Sequence, residues 1–193
     1  MILNITIQRL SNDLYKMAQT PTNTKQSQQA ALFKAKGCDI LIGVDPGSIT
    51  GVCVWDVDRQ RIADMKSMSH IGFMEWVVVN KDMYEVLVVI EDPNLNQPVF
   101  MTKEERGQIF GRDKDASELA LRILLRRAQN IGMNKQIAKT LMEFLESKGI
   151  DFAPFRPYMK KMDAEQFKSY TGWAGRTNQH NRDAARLVYG LKI

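Results

Sequence analysis

The chain has 193 residues, enough for one domain with an adequate core, and its hydrophobic (44%) and charged (25%) fractions are ordinary for a globular protein. It carries 27 Lys and Arg against 22 Asp and Glu; residues 148–193 alone hold nine against four, so the whole +5 excess sits at the C-terminal end. With two cysteines and no apolar run as long as a membrane span, a disulfide framework, a zinc cluster and a membrane protein are all excluded as expectations.

Residues 1–37 read as an N-terminal extension and linker, and 38–193 as the main domain. Ile7, Leu10, Leu14 and Met17 recur at helical spacing, and the polar stretch from Thr20 to Gln29 contains Pro21. Met1 to Leu10 has no basic flank followed by an apolar stretch, so no signal peptide is expected and a cytoplasmic location follows. Cys38 and Cys53 lie beside or within apolar runs and read as small core residues of a reducing compartment.

Asp39 to Val44 is a continuous apolar run that predicts a buried strand, punctuated by Pro46 and Gly47. A second strand resumes at Val52 and ends near Asp56; Asp58, Arg59 and Gln60 form a turn, and Arg61 to Ser67 returns as a third strand. Ser69 is placed to cap a helix through about Val79. Val86 to Ile90 is another fully apolar strand, running into Glu91. Pro93 and Pro98 then mark an irregular stretch, and the charged segment Thr102 to Lys114, with Gly107 and Gly111, predicts a mobile loop. Helix follows, in two pieces broken near Gly132; the second carries Ile137, Leu141, Phe144 and Leu145 on one face and stops at Gly149. Asp151 to Phe155 is the last strand, and Asp163 to Tyr170 and His180 to Leu191 are helices. Three opening strands joined by turns imply antiparallel pairing, and later strands separated by helices imply parallel pairing. The fold class expected is α/β, a mixed sheet with helices on both faces.

Asp45 stands at the end of the first buried strand and Glu91 at the end of the other fully apolar one. On parallel neighbours both carboxylates emerge at one sheet edge, where ligands of open α/β sheets gather. Two carboxylates there repel each other unless a cation intervenes. His180 and Asp183 are three apart on an expected helix and share a face. Together they suit a divalent-metal site of magnesium or manganese type. Taken singly, Asp45 equally caps a turn, Glu91 pairs with an arginine, and His180 is a plain surface residue.

Ile40-Leu41-Ile42-Gly43-Val44-Asp45-Pro46-Gly47-Ser48, continuing Ile49-Thr50-Gly51, resembles the opening strand and turn of the RuvC family of Holliday junction resolvases, within the ribonuclease H-like superfamily. Val88-Val89-Ile90-Glu91 is similar to that family's second acidic strand, and His180-Asn181-Arg182-Asp183-Ala184-Ala185 to its final helix. Tyr170-Thr171-Gly172 precedes that helix much as a Thr-Gly pair does in the family. The chain departs from the bacterial pattern in having 38 residues before its first acidic strand, and in Pro93, Asn94, Asn96 and Pro98 after the second. The departures point to a divergent, phage-type branch.

The resemblance implies a ribonuclease H-like five-stranded sheet and two-metal hydrolysis of a phosphodiester, with two Mg²⁺ per site and Mn²⁺ able to substitute. Asp45 would bridge both ions, Glu91 and Asp183 would each complete one shell, and His180 would bind a metal or steady the attacking water. It implies a 5′-phosphate product, four-way junction DNA as substrate and a homodimer. Lys160, Lys161, Lys168, Arg176 and Arg182 are candidates for DNA backbone contacts, each as readily a solvated side chain. Trp173 is placed to stack on a base and Phe100 to wedge into a junction, with core packing the commoner fate of both. The other readings are an actin-like ATPase, which needs a second domain and phosphate loop not found here, a non-catalytic DNA-binding module of the same fold, and a related nuclease acting on flaps, forks or RNA–DNA hybrids.

Overall fold

A computed structural model describes residues 37–95, 103–110, 114–158 and 160–191. The short helix expected around Ile7 to Met17, the linker and Phe100 lie outside the described residues. Five strands form one sheet: β1 (Ile40–Asp45), β2 (Thr50–Asp56), β3 (Arg61–Met68), β4 (Val86–Glu91) and β5 (Asp151–Phe155), in the order β3-β2-β1-β4-β5. β1 pairs antiparallel with β2 and β2 with β3, while β1–β4 and β4–β5 are parallel, so the sheet is mixed. The arrangement is α/β and consistent with a ribonuclease H-like sheet. Five helices are described: α1 (His70–Lys81), α2 (Lys103–Ile109), α3 (Lys114–Ser147), α4 (Ala164–Thr171) and α5 (Gln179–Val188).

Strand alternation sorts the central residues onto two faces. Ile40, Ile42 and Val44 of β1 and Val86, Val88 and Ile90 of β4 form one core with Phe73 and Val77 of α1 and Ile137, Leu141 and Leu145 of α3. Leu41 of β1 and Leu87 and Val89 of β4 face the other way, onto Phe167 of α4 and Ala184, Ala185, Leu187 and Val188 of α5. Both central strands are buried along their whole length, which is why they read as continuous apolar runs. Each fully buried Leu, Val or Phe contributes roughly 1.5–3 kcal/mol through removal from water. β3, at one edge of the sheet, is mostly half-buried and carries the Lys66–Asp64 ion pair at 2.7 Å, charges of the kind that discourage pairing with a further strand.

Local chemistry sets the boundaries. Asp56 accepts at 2.9 Å from the amide of Arg59 and turns β2 into β3, with Gln60 at a φ of 50°. Ser69 caps α1 by accepting from the Gly72 amide at 3.0 Å. α4 opens with a capping box between Asp163 and Gln166 and closes on Gly172 at a φ of 72°, a left-handed cap that glycine adopts without strain.

Two expectations need correction. The helix expected to break near Gly132 runs unbroken for 34 residues as α3, about 50 Å at 1.5 Å per residue. A helical glycine costs about 1 kcal/mol relative to alanine, which weakens a helix without interrupting it; packing of Ile137, Ala138, Leu141, Met142 and Leu145 secures its C-terminal part. The expected mobile loop after Thr102 contains α2, which packs against α3. Glu104, Glu105 and Arg106 are good helix formers, and they outweigh Gly107. Among the described residues no helix is long and apolar enough to cross a membrane.

Candidate active site at the sheet edge

β1 and β4 run parallel and in register, Val44 opposite Ile90, so the next residues, Asp45 and Glu91, are neighbours at the carboxyl ends of adjacent strands. By alternation both point to the face that α5 covers. They are buried, at 7% and 6% exposure.

α5 reaches this edge because two glycines let it lie directly on the sheet. A Cβ on Gly43 of β1 would stand 2.1 Å from the Ala184 carbonyl oxygen, and one on Gly51 of β2 would stand 2.2 Å from that of His180. No side chain fits at either position. The helix is also pinned to the sheet's far edge: Asn181, buried, donates from Nδ2 to the Lys66 carbonyl at 2.6 Å and to Ser67 Oγ at 3.0 Å. Asn178 caps the helix in a reciprocal box with Asn181 and donates to the same Ser67 hydroxyl at 2.8 Å. This seating brings His180 and Asp183 to the two strand-end carboxylates.

His180 Nδ1 lies 2.7 Å from Asp45 Oδ2. Asp183, 1% exposed, accepts from Gln179 Nε2 on Oδ1 at 3.0 Å and from the Lys161 ammonium on Oδ2 at 2.5 Å. Glu91 Oε2 is buried without a hydrogen-bond partner. The electrostatics follow from this crowding. Burial pushes the Glu91 carboxyl up to about 7, with Asp45 and Asp183 adding repulsion and Lys161 and Arg186 opposing it. Burial likewise raises Asp45, against the hydrogen bond and charge of His180. Three buried carboxylates thus share a single edge with one imidazole and one ammonium that are each about half exposed.

Among the described residues, no three His, Cys, Asp or Glu side chains stand close enough as placed to hold a metal ion. The protein's own donors occupy Asp45 Oδ2 and both oxygens of Asp183. The donor chemistry nevertheless fits a hard divalent cation. Carboxylate oxygens predominate, and the orphaned Glu91 Oε2 is a buried acceptor of the kind a cation satisfies.

The basic residues separate into three groups. Lys168 and Arg176 are exposed. Lys160 is exposed too, and its carbonyl accepts from Arg186 Nη1 at 2.6 Å. Lys161 turns to the carboxylates and Arg182 turns to the protein: Nε donates to the Met162 carbonyl at 2.9 Å, Nη1 to Thr177 Oγ1 at 3.1 Å and Nη2 to Gln179 Oε1 at 2.9 Å. Trp173 is partly buried against the α4–α5 core, its indole nitrogen unpartnered.

Sequence reasoning did not assign the ion pair of Lys161, the close-approach role of Gly43 and Gly51, or the anchoring of α5 by Asn178 and Asn181. The two glycines carried a signal, since an isolated glycine within a strand marks close backbone approach. No family model matches the chain, and no curated protein matches it.

Proposed function

We propose that this protein is a magnesium-dependent endonuclease of the RuvC type that resolves four-way DNA junctions as a homodimer. The observation that carries the reading is the meeting of Asp45 and Glu91, at the ends of adjacent parallel strands, with Asp183 of α5. The motif resemblance supplies the reaction class. Asp45, Glu91 and Asp183 would hold a pair of Mg²⁺ ions, with Mn²⁺ as a substitute. When bound, the ions activate water and stabilise charge on the leaving oxygen.

The chain's own groups would orient the ligands and accept a proton. With Nδ1 against Asp45, His180 presents Nε2 as the nitrogen able to take a proton from the attacking water. Gln179 holds the Asp183 carboxylate in place through Oδ1. Lys160, Lys168 and Arg176, all exposed, are available to phosphates and would position the substrate without reading its sequence.

A cleavage panel with Mg²⁺ on a four-way junction, fork, flap and RNA–DNA hybrid tests the proposal. Paired nicks in opposing junction strands, with 5′-phosphate ends, are expected. Asp45→Asn should reduce the rate by 10²-fold or more, an order-of-magnitude figure for losing a charged group at the reacting centre, while junction binding persists. Preferential cutting of flaps, forks or hybrids would redirect the substrate assignment. Undiminished cutting by Asp45→Asn would remove Asp45 from the chemistry.

A further inference from the structure

Lys161 lies in the connection between β5 and α4, whose described residues form no helix or strand, yet its backbone is gripped on both sides. Arg182 Nε donates to the Met162 carbonyl at 2.9 Å, and Arg186 Nη1 donates to the Lys160 carbonyl at 2.6 Å. The Arg186 guanidinium also lies over the Tyr158 ring, 4.1 Å from its centroid, and Tyr158 Oη donates to the Arg186 carbonyl at 3.3 Å. Arg182 and Arg186 are one helical turn apart on α5, and Asp183 stands between them in sequence. The same helix therefore carries both the clamp and the carboxylate that the clamped lysine meets.

The two partners of the ion pair differ sharply in exposure. The Asp183 side chain is 2% exposed and that of Lys161 is 52% exposed. A carboxylate so deeply buried is strongly destabilising without a counter-charge, whereas an ammonium half in water leaves its partner at little cost. Lys161 also acts electrostatically on Asp45 and Glu91, so its single charge serves all three carboxylates.

We propose that Lys161 is the cluster's tethered counter-ion: positioned by Arg182 and Arg186, it neutralises Asp183 and must withdraw from that carboxylate when a divalent cation enters. It thereby sets the affinity of the site for metal. The inference rests on the reading of Asp45, Glu91 and Asp183 as metal ligands. On this account Arg182 is a positioning residue, which is why its guanidinium faces protein carbonyls.

The test uses the full chain, stripped with chelator and titrated calorimetrically with Mg²⁺ or Mn²⁺. Lys161→Met, similar in length and uncharged, should bind Mg²⁺ more tightly, on the order of tenfold, because no resident charge competes. Without added metal it should melt below wild type, since Asp183 is left unpaired. A second measurement needs no variant: the Lys161 amine of the wild-type protein should react severalfold faster with an amine-labelling reagent when Mg²⁺ is added, while Lys168 does not change. If Lys161→Met does not fold, this labelling decides alone. Wild-type affinity in Lys161→Met, or labelling of Lys161 indifferent to Mg²⁺, overturns the inference. It leaves the metal-site reading standing if Asp45→Asn still lowers the affinity. Failure of the wild-type protein to bind either cation overturns both.

Discussion

Glu91 is the residue whose environment has the most measurable consequence. Its carboxyl ionises near 4.5 in an unfolded chain and near 7 in the folded protein, chiefly through burial and then through the charge of Asp45. Below 4.5 both states hold the proton and the shift has no effect on stability. Between 4.5 and 7 the unfolded chain releases a proton that the folded chain retains, so folding becomes less favourable as pH rises. The loss is complete above 7 and amounts to about 3 kcal/mol, taking 1.36 kcal/mol per pH unit. In chelator, Glu91→Gln should gain on wild type by about that amount between pH 4.5 and 8, read from paired urea melts. A gap that does not vary with pH would contradict the assignment. Strand ends placed Asp45 and Glu91 at one edge, and helical spacing placed Asp183 on one face with His180, but their selection as a site rested on the motif resemblance, since acids at such places have structural roles as readily. The role of Lys161 was not legible. It lies 22 residues before its partner in an irregular segment, where neither period nor spacing says what a side chain meets.

At the scale of elements, the site depends on how closely α5 approaches β1 and β2. That the sheet is mixed, with Asp45 and Glu91 ending adjacent strands, could be read from the turns, the apolar runs and the acids that end them; the strand order and the two faces could not, because strands buried along their whole length carry no alternation. The length of α3 could not, since glycine weakens a helix without dictating a stop and tertiary packing of the C-terminal part outweighs it. The contact of α5 is decided by the absence of a methyl group. Gly51→Ala would set a Cβ 2.2 Å from the His180 carbonyl oxygen and 2.3 Å from its carbon, both backbone atoms that no rotamer change can move. The helix must lift, which should cost roughly 3 kcal/mol, at the upper end for overpacking. His180 would lose its bond to Asp45 with it. A lower urea midpoint together with loss of cleavage is expected. A variant with wild-type midpoint and activity would mean that the close approach has no functional part.

At the scale of the whole molecule, α3 is divided. From Ile137 onward it is packed on the sheet, while its earlier turns expose Leu119, Leu121, Ile123, Leu125 and Met133 at 43–61%. α2 packs against α3 and still leaves Phe110 76% exposed at its end. Exposed apolar residues are ordinary on a protein surface, and these supply apolar area that a second copy of the chain could cover. Junction resolution by paired nicks needs two active sites, and a two-fold pair is the simplest way to supply them. Sedimentation velocity at micromolar concentration should therefore give a species of twice the 22.1 kDa chain mass. Leu121→Asp with Leu125→Asp should return it to a folded monomer, because neither side chain is in the core, with a melting temperature lowered only by what association contributes to the wild type. The same variant should nick a junction once but no longer cut both strands in concert. A wild-type chain that stays monomeric both free and on junction DNA would exclude paired cutting, and the proposed substrate would move from the four-way junction to a flap or fork.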